Sequence, residues 1–106
     1  ERIVLDCGIG FGKTVAQNFS LLARQQGLLA LGYPLLAGWS RKSSLGAVLV
    51  RNGITPEPAQ RQAASVAAAL LAVDRGARIV RVHDVRDTAD ALRVWQQVQM
   101  QTAPEL

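Results

Sequence analysis

The chain has 106 residues, and its 12 Lys plus Arg against 8 Asp plus Glu give a formal charge of +4. This length predicts that residues 1–106 form one domain without an internal linker. The residues are 49% hydrophobic but only 5% aromatic, which is typical of a globular domain and excludes intrinsic disorder. The single Cys7 and single His83 exclude an intrachain disulfide and a Cys/His zinc cage.

Composition also bears on location and partners. The longest apolar runs, such as 28–31 and 67–73, are far shorter than the roughly 18 residues of a transmembrane helix, so no membrane partner is expected. Residues 1–6 read as a strand ending in an acid, not as a signal peptide, and this predicts a cytoplasmic protein. The arginines are scattered singly without nearby stacking aromatics, so no nucleic-acid partner is expected.

The first part of the chain reads as strand, loop and helix. The apolar run 3–5 predicts a strand that Asp6 closes, and apolar residues at helical spacing between 15 and 23 predict a helix. Thr14 is the expected N-cap, because its hydroxyl can accept an unpaired backbone amide. Gly27 is the expected glycine just past the end of the helix.

Two more strand and helix units follow. Leu35–Ala37 predicts the second strand, residues 45–50 a short helix interrupted by Gly46, and the seven alanines within 59–75 a helix that ends before Gly76. The third strand is predicted from Ile79, Val80 and Val82, with His83-Asp84 at its end. The last helix is predicted to start near Asp87 or Thr88, with an apolar face of Leu92, Trp95 and Val98, before a tail at 102–106.

This alternation predicts an α/β fold with a parallel sheet. Right-handed crossovers then place the carboxyl ends of all three strands at one edge, where α/β proteins carry their sites. Three strands with helices on one side leave a bare face, so the chain is expected to be part of a larger closed sheet. A (βα)₈ barrel, of which these would be the last three units or an interior three, is the predicted architecture. An open doubly wound sheet is the competing one.

Charged side chains follow each predicted strand and are expected to meet at one mouth. The cations and carboxylates concerned are Lys13, Arg41, Lys42, Arg81, Asp6 and Asp84. The excess of cations suits an anionic substrate. Taken singly, each has an ordinary explanation: a cap of its own loop for Asp6, an ion pair with Asp84 for Arg81, and a packed ring for His83. Their joint placement favours a functional site.

The loop Gly8-x-Gly10-x-Gly12 is weak evidence by itself, because a tight turn with positive φ explains it equally well. Gly12-Lys13-Thr14 matches the end of the P-loop pattern, but Cys7 stands where that pattern requires its first glycine. The dinucleotide pattern also fails, since Lys13 stands at its third glycine. A P-loop-like nucleotide binder is therefore a minor alternative.

Three motifs in order resemble the last three strand-end motifs of the dihydropteroate synthase family. They are Asp6-x-Gly8-Ile9-Gly10-Phe11-Gly12-Lys13, Gly38-x-Ser40-Arg41-Lys42-Ser43 and Arg81-Val82-His83-Asp84-Val85. The resemblance covers essentially the whole chain and is far more specific than one glycine loop. It implies that residues 1–106 are the C-terminal part of a pterin-binding (βα)₈ barrel.

The resemblance implies a transferase of folate biosynthesis, which condenses 7,8-dihydropterin-6-ylmethyl pyrophosphate with 4-aminobenzoate to give dihydropteroate and pyrophosphate. It also implies Mg²⁺ as a cofactor, a homodimer built by the last helices, and sulfonamides as competitors of aminobenzoate. The implied contacts are Asp6, Lys42 and Arg81 for the pterin, Gly10, Phe11, Lys42 and Ser43 for aminobenzoate, and Arg81 and His83 for pyrophosphate. Lys42 and Arg81 are the implied catalytic residues, and no metal ligand is expected in this segment.

The chain departs from the family in two ways. Cys7 stands where the family usually has proline, which frees a backbone N–H in the loop that carries Phe11. An inert, partly buried thiol is expected there. The family's earlier strands, with further pterin contacts and the magnesium-linked residue, are not in this chain. A catalytically inactive fragment that acts as a folding or oligomerisation module is therefore the alternative from another class.

Overall fold

The structure is a computed structural model that describes residues 3–10 and 12–101. Its elements are β1 (Leu5–Asp6), α1 (Val15–Ala23), β2 (Leu35–Ala37), α2 (Ser43–Val48), α3 (Gln62–Asp74), β3 (Ala77–Val80) and α4 (Val85–Met100). Two 3₁₀ segments, Gln25–Leu31 and Pro58–Gln60, precede β2 and α3. The predicted alternation of strands and helices is confirmed, whereas the predicted tail at 102–106 lies outside the described residues.

The strands form one parallel sheet in the order β1-β2-β3, so each strand neighbours the next one in the sequence. A (βα)₈ barrel adds its strands in this consecutive order. The predicted fold class is thus confirmed for the three units that the chain holds. All three strands end at the same edge, as expected from parallel pairing.

The two faces of the sheet are covered differently. Leu35 and Ala77 pair in register on one face and are 0% and 6% exposed. Leu36 and Ile79 pair on the opposite face, where Leu36 is half-buried and Ile79 is 42% exposed. Since a parallel sheet is normally covered on both faces, the face that carries Ile79 is the one that further barrel strands would close.

The core lies between the sheet and the helices. Trp39, 2% exposed, packs there with its ring centroid 5.0 Å from that of Phe19. Ala68 and Ala72 of α3 are also buried in this core, so the alanine-rich helix packs there through small side chains.

The first helix ends earlier than predicted. Thr14 is confirmed as its N-cap, but Gly27 lies inside the 3₁₀ segment and Gly32 adopts the left-handed conformation instead, with φ +81°. The cause is Gln25, which is 1% exposed and donates from Nε2 to the carbonyl of Ala72 at 2.9 Å. This bond holds the chain in a tight turn against the end of α3.

The sequence predicted that Gly46 interrupts the second helix, and this prediction is wrong. The helix begins at Ser43 and runs through Gly46, and a Cβ at that glycine would lie 2.7 Å from Nε of Arg61. Glycine is therefore present so that the guanidinium of Arg61 can lie against α2.

The ends of the third unit also differ from the prediction. Val82 lies beyond β3, and α4 begins at Val85 instead of Asp87 or Thr88. On α4, Thr88 is buried at 4% exposure and its Oγ1 donates to the Asp84 carbonyl at 2.7 Å. Of the predicted apolar face, Leu92 and Trp95 are half-buried, but Val98 is 64% exposed because nothing among the described residues covers the end of α4.

Candidate functional site

The loop after β1 is a series of glycines with left-handed backbone. Gly8, Gly10 and Gly12 have φ values of +71°, +89° and +65°, which explains why the loop needs glycine. The Oδ1 atom of Asp6 accepts from the N–H of Gly8 at 2.8 Å, so Asp6 does cap its own loop. The ammonium of Lys13 donates to the Gly8 carbonyl, also at 2.8 Å.

A buried asparagine anchors this loop to two helices. Asn18 on α1 is 2% exposed, accepts from the N–H of Gly10 at 3.0 Å, and donates to Oγ of Ser44 on α2 at 2.9 Å. Asn18 and Ser44 were not among the site residues predicted from the sequence. The sequence does contain an indication of this role for Asn18. It is a polar residue one helical turn before the buried Leu22, on a helix face that packing alone would make apolar.

The loop after β2 contains a strained arginine. Arg41 has φ +58°, a conformation that costs a non-glycine residue about 1–3 kcal/mol. It is held there from both sides, since its N–H donates to Oγ of Ser65 and its carbonyl accepts from Nη1 of Arg61, each at 2.8 Å. This conformation turns the chain so that Lys42 directly precedes α2.

Lys42 joins the first two loops. Its Nζ donates to the carbonyl of Ile9 at 3.0 Å, across the mouth of the sheet. Ser43 is the exposed first residue of α2, which begins before the predicted start at Leu45, and Gly10 is exposed beside the Lys42 side chain. Phe11, the remaining residue predicted for aminobenzoate, lies outside the described residues.

Arg81 joins the third loop to the first. Its Nη1 lies 3.7 Å from Oδ2 of Asp6, and both side chains are about half exposed, at 57% and 49%. The guanidinium lies across Gly38, where a Cβ would stand only 2.5 Å from Nη2. The suggested pair of Arg81 with Asp84 is therefore wrong.

Asp84 pairs with Arg41 instead. Its Oδ1 lies 3.0 Å from Nη2 of Arg41, and it also accepts from Gln62 at 3.3 Å. The hydrogen bond from Arg41 is the main cause that lowers the pKa of Asp84 below its usual value, with help from Gln62 and from the nearby charges. This pair fixes the loop after β2 to the first turn of α4.

His83 lies between the second and third loops. Its side chain is exposed, and its Nδ1 lies 2.8 Å from Oγ of Ser40. The backbone N–H of His83 donates to the same hydroxyl at 3.0 Å. Ser40 itself is buried at 8% exposure. The explanation of His83 as a merely packed ring does not fit its exposure.

The three loops thus form one rim through direct contacts. The rim carries the predicted Asp6, Gly10, Lys42, Ser43, Arg81 and His83 within the described part of the chain. It is basic overall and opens at the carboxyl edge of the sheet, where an anion would find guanidinium and ammonium donors. Within the described residues no three His, Cys, Asp or Glu side chains are grouped to hold a metal ion.

Cys7 behaves as a structural thiol. It is 9% exposed, and its backbone N–H donates to the carbonyl of Leu36 at 3.2 Å, a bond that a proline could not make. Burial raises the pKa of the Cys7 thiol, and the charge of Asp6 raises it further. The side chain therefore stays protonated and inert at neutral pH, as expected.

The fold and the rim define the chain as a segment of a parallel α/β barrel protein with a basic edge at the carboxyl ends of its strands. A protein-family model described as pterin binding enzyme matches residues 1–83. The chain therefore belongs to the pterin-binding enzyme family, and the resemblance to the dihydropteroate synthases that its three motifs indicated is confirmed.

The relatives confirm this in sequence and structure. The chain is 50% identical to dihydropteroate synthase of Haemophilus influenzae over 97 residues, which are 91% of this chain and 33% of that protein. It superposes on the crystal structure of dihydropteroate synthase from Stenotrophomonas maltophilia, which has imidazole bound in its active site, with TM-score 0.88 and 56% identity over 94% of this chain and 36% of that one.

Two structures of dihydropteroate synthase from Xanthomonas albilineans, one in complex with 7,8-dihydropteroate and one with 4-aminobenzoic acid, are each 52% identical, with TM-scores of 0.86 and 0.88. The two superpositions cover 95% and 97% of this chain and, in each case, 36% of the Xanthomonas albilineans chain. The chain spans about one third of the length of the Haemophilus influenzae enzyme. No helix in residues 3–10 and 12–101 is long and apolar enough to cross a membrane.

Proposed function

We propose that this chain supplies part of the active site of a dihydropteroate synthase. That enzyme condenses 7,8-dihydropterin-6-ylmethyl pyrophosphate with 4-aminobenzoate and releases pyrophosphate. The observation that carries the proposal is the basic rim, in which Lys42, Arg81 and His83 come from loops that contact one another directly. The names of the relatives support it, as do their complexes with 7,8-dihydropteroate and 4-aminobenzoic acid.

The pterin would lie on the open face of the sheet beside Asp6. The Asp6 carboxylate uses Oδ1 for the Gly8 amide and keeps half of its surface accessible. A carboxylate can accept two parallel N–H groups from a pterin ring, which a neutral amide does less well. Arg81 beside it would lie against the pterin and reach the phosphate, and Lys42 would complete the pterin contacts.

The pyrophosphate would bind to Arg81 and His83. The guanidinium offers a planar set of donors to phosphate oxygens, and the exposed imidazole adds another donor. The aminobenzoate would lie beside Gly10, Phe11, Lys42 and Ser43, where its carboxylate meets the ammonium of Lys42 and the first turn of α2.

These residues suit the chemistry of the reaction. Departure of pyrophosphate leaves positive charge on a methylene group conjugated to the pterin, and the aromatic amine then attacks that carbon. Catalysis therefore consists mainly of stabilising the negative charge on the leaving group and positioning the amine. Arg81 and Lys42 would supply the charge stabilisation, and no covalent nucleophile is needed.

Mg²⁺ is part of the proposal only for the complete enzyme. The carboxylates of the rim do not fit a metal site, because no three His, Cys, Asp or Glu side chains are grouped among the described residues and Asp84 is engaged by Arg41 and Gln62. We therefore place the magnesium ligands outside this chain and derive no step through the ion.

The proposal includes a homodimer in the cytoplasm. Exposed apolar side chains on α4, namely Val94, Val98 and Met100 at 67%, 64% and 69% exposure, support association through the last helix. A cytoplasmic location follows from the substrate, because a pyrophosphate ester carries charges that are costly to move through lipid.

The test is an assay for dihydropteroate from dihydropterin pyrophosphate, Mg²⁺ and labelled 4-aminobenzoate. We expect product from the longer parent protein and its inhibition by a sulfonamide that competes with aminobenzoate. Product from the 106-residue chain alone would mean that three units rebuild a working pocket by association. No product from the parent would overturn the proposal, and binding of ATP or GTP would then favour the P-loop alternative.

If the parent is active and the chain alone is inactive, the result would support the proposed site in the complete enzyme. The isolated chain would then be an inactive folding or oligomerisation module. Its solution mass would show whether the chain covers its open face by self-association. A further test is His83→Ala in the parent. It removes one proposed pyrophosphate donor and should lower turnover without changing the fold.

A further inference from the structure

The hydroxyl of Ser40 makes two hydrogen bonds to one residue. Its Oγ accepts from the backbone N–H of His83 at 3.0 Å and lies 2.8 Å from Nδ1 of the same imidazole. Ser40 is 8% exposed, so these bonds form away from competing water, whereas His83 is exposed at the rim. The two residues are 43 positions apart and lie on different loops.

The proton of the hydroxyl decides the chemistry of the ring. A serine hydroxyl carries one proton and two lone pairs, and the backbone N–H of His83 occupies one of the lone pairs. Among the described residues, Nδ1 of His83 is the acceptor that the hydroxyl proton reaches. When Ser40 donates to Nδ1, the neutral ring must carry its own proton on Nε2.

We propose that Ser40 is a positioning residue that selects the Nε2–H tautomer of His83. The ring then presents a donor, not a lone pair, on the side away from Ser40. This inference rests on the proposed function, in which His83 contacts pyrophosphate, because only a protonated Nε2 can donate a hydrogen bond to a phosphate oxygen. The opposite tautomer would place its lone pair against the anion.

A purely structural role for Ser40 makes a different prediction. If the hydroxyl served only to accept the His83 backbone N–H, the ring would be free to sample both tautomers. Removal of the hydroxyl would then leave the ring nitrogens unchanged. The two roles are therefore separated by the imidazole itself, without any measurement of activity.

Nitrogen NMR of the ¹⁵N-histidine-labelled chain reads the tautomer directly. His83 is the only histidine, so the spectrum of the chain contains one imidazole. At about pH 8.5, where an ordinary imidazole is mostly neutral, the protonated and unprotonated nitrogens differ widely in chemical shift. Couplings to the two ring C–H protons identify which nitrogen is Nε2. We expect a single Nε2–H tautomer.

Ser40→Ala tests the cause. Without the hydroxyl, both nitrogen shifts should move toward the average of the tautomer mixture of a free imidazole. Ser44→Ala is the matched control, because Ser44 is also buried, at 3% exposure, but its hydroxyl accepts from Asn18. That variant should leave the His83 nitrogen shifts as they are in the wild type.

The parent protein gives a second readout through inorganic pyrophosphate, titrated without the other substrates. We expect Ser40→Ala to bind it about twofold more weakly, because the fraction of the ring in the Nε2–H tautomer falls from nearly all to about half, and Ser40→Thr, which keeps a hydroxyl, to recover part of that loss. An Nδ1–H tautomer in the wild type would overturn the inference, as would unchanged nitrogen shifts in Ser40→Ala.

If Ser40→Ala does not fold, the wild-type tautomer and the shifts of Ser40→Thr decide the question. Failure of the proposed function is distinguished from failure of this inference, because the tautomer is measured with no substrate present. An inactive parent that keeps the Nε2–H ring would count against the proposed function alone.

Discussion

Nη2 of Arg41 and Oδ1 of Asp84 lie 3.0 Å apart, and this ion pair joins the loop after β2 to the first turn of α4. Asp84 is almost fully covered, with 6% of its side chain exposed, while Arg41 keeps 28%. The pair matters for the site because Arg41 holds a left-handed backbone directly before Lys42, and Asp84 follows His83 directly. A single ion pair thus couples the positions of two proposed ligand-binding residues.

Asp84→Asn should destabilise the chain at neutral pH but not in acid. Arg41 lowers the pKa of Asp84 in the folded state, below the value of about 3.9 in an unfolded chain. The ionised carboxylate therefore contributes stability above the unfolded pKa, and this contribution is lost as the pH falls through the folded pKa. Melting temperatures of wild type and variant should differ at about pH 7 and converge toward about pH 2.

Asp90→Asn is the control for this measurement. Asp90 is an exposed carboxylate on the same helix, and no ion pair involves it among the described residues. Its replacement should change the melting temperature little at any pH. A difference between wild type and Asp84→Asn that stays constant down to the most acidic pH would contradict the role of the ionised carboxylate.

Gly38→Ala should impair ligand binding while preserving the fold. The added methyl group would meet the guanidinium of Arg81, which is the flexible end of a half-exposed side chain and can move away. Stability should change by no more than about 1 kcal/mol, because alanine also reduces the freedom of the unfolded chain. Pyrophosphate affinity of the parent should fall, because Arg81 is displaced from Asp6.

Calorimetry of pyrophosphate binding and thermal melting together check the prediction for Gly38. A variant that melts far below the wild type would show that the backbone, not the Arg81 side chain, needs the glycine. Unchanged affinity would show that the position of Arg81 over Gly38 is unimportant.

Trp39 should tolerate phenylalanine far better than alanine. The indole is 2% exposed and packs against Phe19, so Trp39→Ala should lower the free energy of unfolding by about 3–5 kcal/mol. Its Nε1 has no hydrogen-bond partner among the described residues, so Trp39→Phe loses no hydrogen bond. In urea unfolding, Trp39→Phe should lose less than half as much free energy of unfolding as Trp39→Ala. Equal losses in the two variants would show that the indole N–H is hydrogen-bonded.

Cys7 should react slowly with iodoacetamide in the folded chain. The thiolate is the reactive form, and burial and the neighbouring Asp6 raise the pKa of the thiol and so reduce the thiolate fraction. We expect alkylation at about pH 8 to be at least about tenfold slower than in urea, and to accelerate as the pH rises. The control is the same measurement on N-acetylcysteine, and a folded-state rate equal to it would disprove burial.

Arg81→Ala in the longer parent should lower turnover by at least about 100-fold, because it removes charge stabilisation of the leaving group. Lys42→Ala should lower it heavily as well. Arg78→Ala is the matched control, since Arg78 is an exposed arginine within β3, whereas Arg81 follows the carboxyl end of that strand at the rim. Full activity of Arg81→Ala, with the parent correctly folded, would contradict the proposed role.

Much of the fold followed from local pattern. The three strands, the order of the helices and the N-cap at Thr14 were all predicted, because hydrophobic period and capping chemistry act over a few neighbouring residues. The predicted contacts of Asp6, Lys42, Arg81 and His83 with substrates stay predictions, although the structure brings these four side chains to one rim.

The predictions for the end of the first helix and for Gly46 were wrong because residues distant in the sequence decide the local geometry there. Gln25 ends the first helix early by hydrogen bonding to the end of α3. The guanidinium of Arg61 lies against Gly46 and leaves no room for a side chain there. Neither partner is near in sequence, so no window of local residues contains the signal. The same holds for Asn18, whose two bonds order the glycine loop.

The sequence by itself determined that this chain is a set of strand and helix units with a basic, glycine-rich edge, since alternation and motif order are properties of the linear chain. Only the tertiary structure decided that Asp84 pairs with Arg41 instead of Arg81 and that Ser40 bonds to His83. Ion pairs and hydrogen bonds form over about 3–4 Å, and which groups come that close depends on how the strands lie side by side.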